Sequence, residues 1–346
     1  MESVLESGQV VGGPIIDRFE QRLCSLAGRR FGIAVQSGTD ALRIAALSAG
    51  VDRDWTAVVP AYSFTATAGA LRSVAGTVRA ADVDEQYHID PAAIHESLAE
   101  DGPKVVVPVG LFGNGLDDIE IDRVVGDDAL VLEDAAQSLA SRHRKRCGGG
   151  FGTVSALSFA PTKVLPCFGN MGMVLTDDED LADRARGLRR HGKLRPDQPA
   201  TAVGMNSMPN CLQAAQLLVL LDHHPERQAR RDSMAGLILE TLARSRGILP
   251  PPQRPQTVHA WHKFVVRHPR RDALKAWLDD RGIDSQVHYP RTLDAEPVLV
   301  APGPRAERAH ALAATSLSLP FHAELSEEEL ERLCGALRSF DPGSDR

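Results

Sequence analysis

The stretch SFAPTKVLPCFGNMGMVLT, residues 158–176, places Lys163 between two short, strand-like and largely apolar runs. Lysine is rare in this chain, since arginine supplies most of its 39 basic residues. Arginine keeps its proton in proteins, whereas a lysine in apolar surroundings can lose one and become a nucleophile. The stretch therefore marks Lys163 as a candidate catalytic residue.

Working outward from this stretch, short runs rich in Val, Ile and Leu alternate with helical patterns. The strand-like runs include FGIAVQSG (31–38), TAVVPAYSF (56–64), KVVVPVGLFG (104–113) and ALVLEDAAQS (129–138). This alternation predicts an α/β fold, with a large three-layer α/β/α domain built on a mostly parallel sheet. A long helical stretch from Asn210 to about Ser245 breaks at Pro225, and a separate α+β pattern follows it. We therefore predict a large domain over residues 1–225 and a smaller C-terminal α+β domain over residues 226–346.

Composition narrows the class of protein. The formal charge of −7 argues against binding nucleic acid through a general basic surface. The most apolar run, Leu212–Leu221, is too short to span a bilayer, and the N-terminus has no signal-peptide pattern. The five cysteines lie far apart without a C-x-x-C pair, which favours a reducing compartment and no metal site. We expect a cytoplasmic protein that binds neither nucleic acid nor membrane.

Open α/β sheets bind ligands beyond the carboxyl ends of their strands. Two of the predicted strand ends carry residues suited to a flat, phosphorylated ligand. The turn SGTDAL puts Gly38 and Thr39 at a helix N-terminus, where free N–H groups favour a phosphate. An ordinary glycine turn with Thr39 as the N-cap is the alternative. Phe64 follows another strand and can stack on a ring, although a lone phenylalanine is more often part of the core.

Two further strand ends add an acid and a hydroxyl. The run VLEDAAQ delivers Asp134 to the sheet edge with Gln137 three residues later, and Ser158 ends the strand before Lys163. Asp134 either caps a following helix or faces a protonated ring nitrogen. Pyridoxal 5′-phosphate needs a lysine for its Schiff base, an acid for its pyridinium nitrogen and a phosphate cup. The combination predicts this cofactor.

In order along the chain, the segments SGTDAL, PAYSFTATA, EDAAQ, LSFAPTK, GMNS and GIDSQVHYP resemble the successive motifs of the DegT/StrS-type aminotransferases. The resemblance covers about residues 13–333 and implies a pyridoxal-phosphate enzyme of the aspartate aminotransferase fold. By position it implies Schiff-base formation by Lys163, a ring-nitrogen contact by Asp134, a ring-hydroxyl contact by Gln137 and stacking by Phe64. It also implies that Gly38, Thr39 and Ser158 form a phosphate cup and that His288 and Tyr289 lie near the substrate entrance. Asn206 matches an asparagine that family members supply to the phosphate of the neighbouring subunit, which implies a homodimer with shared active sites.

The chain departs from the family pattern at two places. Met208 stands where members commonly have arginine, and GNMG at residues 169–172 replaces a glycine-rich GDGG. The resemblance implies transfer of an amino group, from L-glutamate, to a keto sugar or keto-cyclitol, which can be nucleotide-linked. The departures leave a pyridoxal-phosphate lyase or dehydratase open as an alternative, and a non-catalytic regulatory relative is a third.

Overall fold

The computed structural model describes residues 1–245 and 247–341, so residues 246 and 342–346 of the predicted C-terminal domain lie outside the described residues. Helices and strands alternate along most of the chain, as expected. The α-helices are α1 (Glu2–Ser7), α2 (Pro14–Ala27), α3 (Gly38–Ser48), α4 (Thr65–Arg72), α5 (Pro91–Leu98), α6 (Asp118–Val125), α7 (Glu179–Leu188), α8 (Cys211–Asp222), α9 (His224–Leu242), α10 (Arg271–Asp279), α11 (Glu307–Thr315) and α12 (Glu327–Ser339). Two 3₁₀ turns, Leu111–Gly113 and Leu293–Ala295, complete the helical segments.

A seven-stranded sheet forms the centre of the molecule. Its strands are β1 (Phe31–Val35), β2 (Thr56–Pro60), β3 (Thr77–Ala81), β4 (Lys104–Val106), β5 (Leu130–Asp134), β8 (Val154–Ser158) and β9 (Gly172–Thr176). They lie in the order β1-β9-β8-β5-β4-β2-β3, and only β9 runs antiparallel to its neighbours. The prediction of a mostly parallel sheet is confirmed.

Helices cover both faces of this sheet because its strands are apolar on both sides. On one face α3, α4 and α7 pack on residues such as Ile33, Val59 and Leu132. On the other face α2 and α8 pack on Leu157 and Leu175, while α5 and α6 cover the neighbouring strands. The result is the expected three-layer α/β/α arrangement.

A separate cluster of buried residues lies C-terminal to this domain. Strands β11 (Phe264–Arg267) and β12 (Ser316–Leu319) pair antiparallel and share a core with α9, α10 and α12. A small three-stranded sheet joins β6 (Arg142–His143), β7 (Arg146–Cys147) and β10 (Thr257–Val258). The predicted boundary at residue 225 falls in the first turn of α9, and it stays a prediction.

The sheet order brings the important strand ends to one edge. Because β9 is antiparallel to both β1 and β8, these two strands run in the same direction as the rest of the sheet. The carboxyl ends of β1, β2, β5 and β8 therefore share an edge, and Gly38, Phe64, Asp134 and Ser158 lie there or just beyond it.

Candidate active site

The turn between β1 and α3 meets the end of β8. Gly38 and Thr39 are the first two residues of α3, and the Ser37 hydroxyl accepts a hydrogen bond from Asp40 N at 3.0 Å. The alternative of a Thr39 N-cap is therefore wrong, because Ser37 caps the helix. A Cβ atom on Gly38 would lie 2.6 Å from Ser158 Cβ, so only glycine allows this approach. Gly38 and Ser158 line one concave turn at a helix N-terminus, which suits a phosphate.

Asp134 is buried at the end of β5 and is held in place by two donors. Thr67 Oγ1 donates to Asp134 Oδ2 at 2.7 Å, and Ala136 N donates to Oδ1 at 3.1 Å. Burial raises the pKa of this carboxyl, and the two hydrogen bonds and the charge of Lys163 oppose that shift. The residues directly after Asp134 form turns, and the next helix along the chain, α7, begins only at Glu179, so the helix-capping alternative is wrong. The carboxylate is placed to meet a cationic ligand group.

Lys163 lies within electrostatic reach of Asp134. The pKa of the Lys163 amine is lowered to about 8, because burial and the nearby Lys263 lower it by more than Asp134 raises it. The amine makes no hydrogen bond or ion pair within residues 1–245 and 247–341. A lysine with these properties has an accessible neutral form near neutral pH and can act as a nucleophile or a base.

The main chain on both sides of Lys163 is tied down by buried basic side chains. His262 Nε2 lies 3.0 Å from the carbonyl oxygen of Thr162, and Arg231 Nη2 donates to the carbonyl oxygen of Val164 at 3.2 Å. Burial and the two nearby lysines hold the pKa of His262 well below its ordinary value, so the ring is neutral. A neutral ring carries a single N–H, which donates either to the Thr162 carbonyl oxygen or to Gln137 Oε1. These contacts fix the position of the lysine.

Gln137 is oriented by several partners. Its Oε1 accepts from Phe112 N at 3.0 Å and lies 3.0 Å from His262 Nδ1, while its Nε2 donates to the Tyr289 hydroxyl at 3.1 Å. The amide oxygen is thereby fixed toward the protein. The second hydrogen on Nε2 makes no described contact and is available to a ligand oxygen.

The predicted entrance residues meet the predicted stacking ring. The ring centroids of Phe64 and Tyr289 lie 5.7 Å apart, and Phe64 remains 49% exposed. His288 Nδ1 lies 2.9 Å from Ser318 Oγ, and burial lowers the pKa of His288 to about 4. The structure thus gathers Phe64, Gln137, His288 and Tyr289 on one side of the site.

Asn206 and Met208 are not part of this cluster. The Asn206 side chain is exposed and makes no described contact with Ser158 or Lys163, while Met208 lies near Gly12. The neighbouring Ser207 hydroxyl donates to Asp40 Oδ2 at 2.7 Å and accepts from Gln36 N at 3.1 Å. The segment therefore supports the turn between β1 and α3.

Sequence reasoning missed Thr67, His262 and Tyr62. Thr67 stands in the motif PAYSFTATA, but its role depends on a helical turn that returns it to Asp134. His262 lies 125 residues from Gln137 along the chain and carried no local signal. Tyr62 is fully buried, and its hydroxyl donates to His288 O at 2.5 Å and accepts from Tyr289 N at 3.0 Å.

Two features are absent from the described residues. No helix there combines the length and apolar character needed to cross a membrane. Within the same residues, no three His, Cys, Asp or Glu side chains are grouped to hold a metal ion.

The seven-stranded, mostly parallel sheet with helices on both faces, and with a lysine and a buried carboxylate near its carboxyl edge, is of the aspartate aminotransferase-like class of α/β proteins. A family model, the DegT/DnrJ/EryC1/StrS aminotransferase family, matches residues 1–338. The chain belongs to this family and is an aminotransferase by that membership.

Two characterised relatives match almost the whole chain. A dTDP-3-amino-3,4,6-trideoxy-alpha-D-glucose transaminase of Streptomyces venezuelae is 33% identical, over 97% of this chain and 90% of its own. A pleiotropic regulatory protein of Geobacillus stearothermophilus is 31% identical, over 98% of this chain and 93% of its own.

Solved structures agree with the fold. DesV of S. venezuelae, in complex with a ketimine intermediate, matches with a TM-score of 0.92 at 33% identity, over 97% of this chain and 92% of that one. NtdA of Bacillus subtilis, with bound cofactor PMP, matches with a TM-score of 0.87 at 26% identity, over 97% and 79% of the two chains.

Proposed function

We propose that this aminotransferase uses pyridoxal 5′-phosphate to move an amino group, from L-glutamate, to a keto sugar or keto-cyclitol. The observation that carries the proposal is that Lys163 and the buried Asp134 lie within electrostatic reach of each other, beside the concave turn lined by Gly38 and Ser158. The similarity to a dTDP-sugar transaminase supports a keto sugar, which can be nucleotide-linked, as the acceptor.

The residues fit the cofactor. Asp134 would meet the ring nitrogen, Gly38, Thr39 and Ser158 would hold the phosphate, and Lys163 would bind the aldehyde carbon. Phe64 would cover the ring, and Gln137 would donate to its ring oxygen. When bound, pyridoxal phosphate supplies an aldehyde for amine exchange and a ring that accepts electrons from the substrate's α-carbon.

The protein's own groups then have defined tasks. The neutral amine of Lys163 would take the proton from the α-carbon of the amino donor and deliver it to the carbon of the cofactor's former aldehyde group. In the second half-reaction it would carry a proton in the opposite direction, to the carbon of the acceptor that receives the amino group. Asp134 would hold the ring nitrogen in its protonated form, and the hydrogen bond from Thr67 favours the ionised form of Asp134 and orients it. The anchors at Thr162 and Val164 hold the lysine near both carbon atoms.

The working form in this proposal is a homodimer in the cytoplasm. Asn206 of the partner subunit would complete the phosphate site. The exposure of Asn206 and its lack of contacts with the site of its own chain support this arrangement. The scattered, unpaired cysteines support a reducing compartment.

The absorbance spectrum of the purified protein loaded with pyridoxal phosphate, before and after excess L-glutamate, tests the proposal. We expect a visible Schiff-base band that is replaced by the shorter-wavelength band of pyridoxamine phosphate. Lys163→Ala should lack turnover while keeping its fold. Full transaminase activity in that variant would exclude Lys163 from the reaction.

The Geobacillus relative makes a regulatory role the second candidate. A regulator on this scaffold can dispense with Lys163 chemistry, so it would show no change of the band with any amino donor. Replacement of the band without formation of pyridoxamine phosphate would instead indicate lyase or dehydratase chemistry.

A further inference from the structure

A cavity of about 390 Å³ opens beside the candidate active site, in the C-terminal part of the molecule. Its lining includes Lys263, Ser285, His288 and Ser318. His288 precedes Tyr289, which contacts Gln137, so the cavity continues from the predicted substrate entrance. The charge of Lys263 lowers the pKa of both His288 and Lys163, which places its amine near the catalytic lysine.

The main chain fixes the direction of the Lys263 side chain. Lys263 N donates to Phe112 O at 3.1 Å, and the next residue, Phe264, begins β11 with its side chain fully buried in the C-terminal core. Because successive side chains alternate along extended backbone, Lys263 points away from that core and lines the cavity. The amine is half-buried, and its lowered pKa has burial as its cause.

Two polar groups of this cavity have no partner among the described residues. The Lys263 amine makes no described hydrogen bond or ion pair, and the buried Ser285 hydroxyl has none either. The acids of the lining do not neutralise the lysine. Glu329 accepts from Ser326 N at the start of α12, and Asp284 is exposed. A half-buried ammonium group without a partner is costly unless an anion completes the site.

We propose that Lys263, with Ser285, forms a subsite for an oxyanion group of a substrate. The group is either the carboxylate of the amino donor or the phosphate of a nucleotide-linked acceptor, and both present oxygens to an ammonium group in the same way. This inference rests on the proposed function, since it assigns a substrate contact in the same site. Met208 stands where the family resemblance leads us to expect an arginine. Its side chain carries no charge that could bind the oxyanion in place of Lys263.

The test compares Lys263→Met with Lys263→Arg and with Lys275→Met. Lys275 is a surface lysine that pairs with Asp279 within α10 and serves as the matched control. For each loaded protein, L-glutamate is titrated against the cofactor spectrum, and dTDP alone is titrated by calorimetry. Thermal melting confirms that each variant is folded.

We expect Lys263→Met to weaken one of these two ligands by about tenfold or more, as for loss of a charge-assisted hydrogen bond. Weakening of glutamate alone assigns the donor carboxylate, and weakening of dTDP alone assigns the acceptor phosphate. Lys263→Arg should restore most of the affinity, and Lys275→Met should match the unmodified protein.

Two results would overturn the subsite, and they are distinguishable. If the unmodified protein responds to glutamate or binds dTDP and folded Lys263→Met does so equally, the subsite alone is wrong. If the unmodified protein responds to neither ligand, the proposed function fails together with the subsite.

Discussion

At the scale of single residues, the central property is the lowered pKa of Lys163. An ordinary lysine has a pKa near 10.5, and burial together with Lys263 brings the value in the folded protein to about 8. Only the neutral amine attacks an aldehyde. We therefore expect the rate at which cofactor-free protein gains the visible band after addition of pyridoxal phosphate to rise with pH and level off above about 8.

The positive charge of Lys263 provides a second test of this pH dependence. Lys263→Met removes a positive charge near Lys163, so the pKa of Lys163 should rise and the midpoint should move to higher pH. Lys263→Arg should leave the midpoint in place, and so should Lys275→Met at the surface. A midpoint near 10.5 in the unmodified protein would contradict the burial of the amine.

Asp134 illustrates a conflict between stability and function in one side chain. Burial raises the pKa of Asp134, so the folded cofactor-free protein holds this proton more tightly than the unfolded chain does. The free energy of unfolding therefore falls as the pH rises and Asp134 ionises. Asp134→Asn removes this cost. We expect the variant to melt at or above the temperature of the unmodified protein when cofactor-free near pH 7, while binding pyridoxal phosphate more weakly and reacting with glutamate more slowly. Tight binding with unchanged kinetics would remove the ring-nitrogen role.

At the scale of elements, strand β9 packs closely against the turn between β1 and α3 because its first residue, Gly172, has no side chain. Gly172 pairs with Val35 of β1 and with Ser158 of β8. A Cβ atom at this position would lie 2.3 Å from Ser37 O and 2.8 Å from Gly38 N, which are backbone atoms that cannot rotate away. Gly172→Ala should therefore displace the turn, lower the free energy of unfolding by about 1–3 kcal/mol and weaken cofactor binding.

Gly335 gives the opposite expectation for the free energy of unfolding. Gly335 lies within α12, and a Cβ atom there would meet nothing within 4 Å. Gly335→Ala should raise the free energy of unfolding by about 0.5–1 kcal/mol, since alanine loses less backbone freedom in a helix. Denaturant unfolding with and without pyridoxal phosphate measures both variants. Equal effects of the two substitutions would show that the contact at Gly172 is not restrictive.

The elements also show which features the sequence could predict. Alternating apolar strands and helical patterns predicted the layers and the strand ends that carry Asp134 and Ser158. The reversed direction of β9 was not predictable, because the apolar pattern of a buried strand is the same in either direction. The pattern also did not distinguish Ser37 from Thr39 as the N-cap, since both residues favour that position.

Residues contributed by distant segments were the hardest to foresee. His262 bridges the segments at Gln137 and Thr162 only because the backbone at residues 260–263 bonds to Phe112 and Gly113. A Cβ atom on Gly113 would lie 2.8 Å from His262 N, so this approach depends on glycine. Single-sequence patterns report on neighbours along the chain and contain no such long-range contact.

At the scale of the whole molecule, the position of Asn206 bears on assembly. Its exposed side chain makes no described hydrogen bond to Lys163 or Ser158 of its own chain, although the neighbouring Ser207 supports the turn at Gly38. If Asn206 acts on the phosphate across a two-fold interface, the residue and Lys163 of one chain belong to different active sites.

Subunit complementation tests this arrangement. Lys163→Ala lacks the lysine in both sites of a dimer, and Asn206→Ala lacks the asparagine in both. After denaturation and joint refolding of equal amounts, half of the dimers should be hybrids with one intact site, which restores about a quarter of the unmodified activity. The same variants refolded separately and then mixed are the control. Asn206→Ala refolded with itself should bind pyridoxal phosphate more weakly than the unmodified protein. If joint refolding yields no more activity than the control, Asn206 acts within its own chain, or the chains do not share their sites.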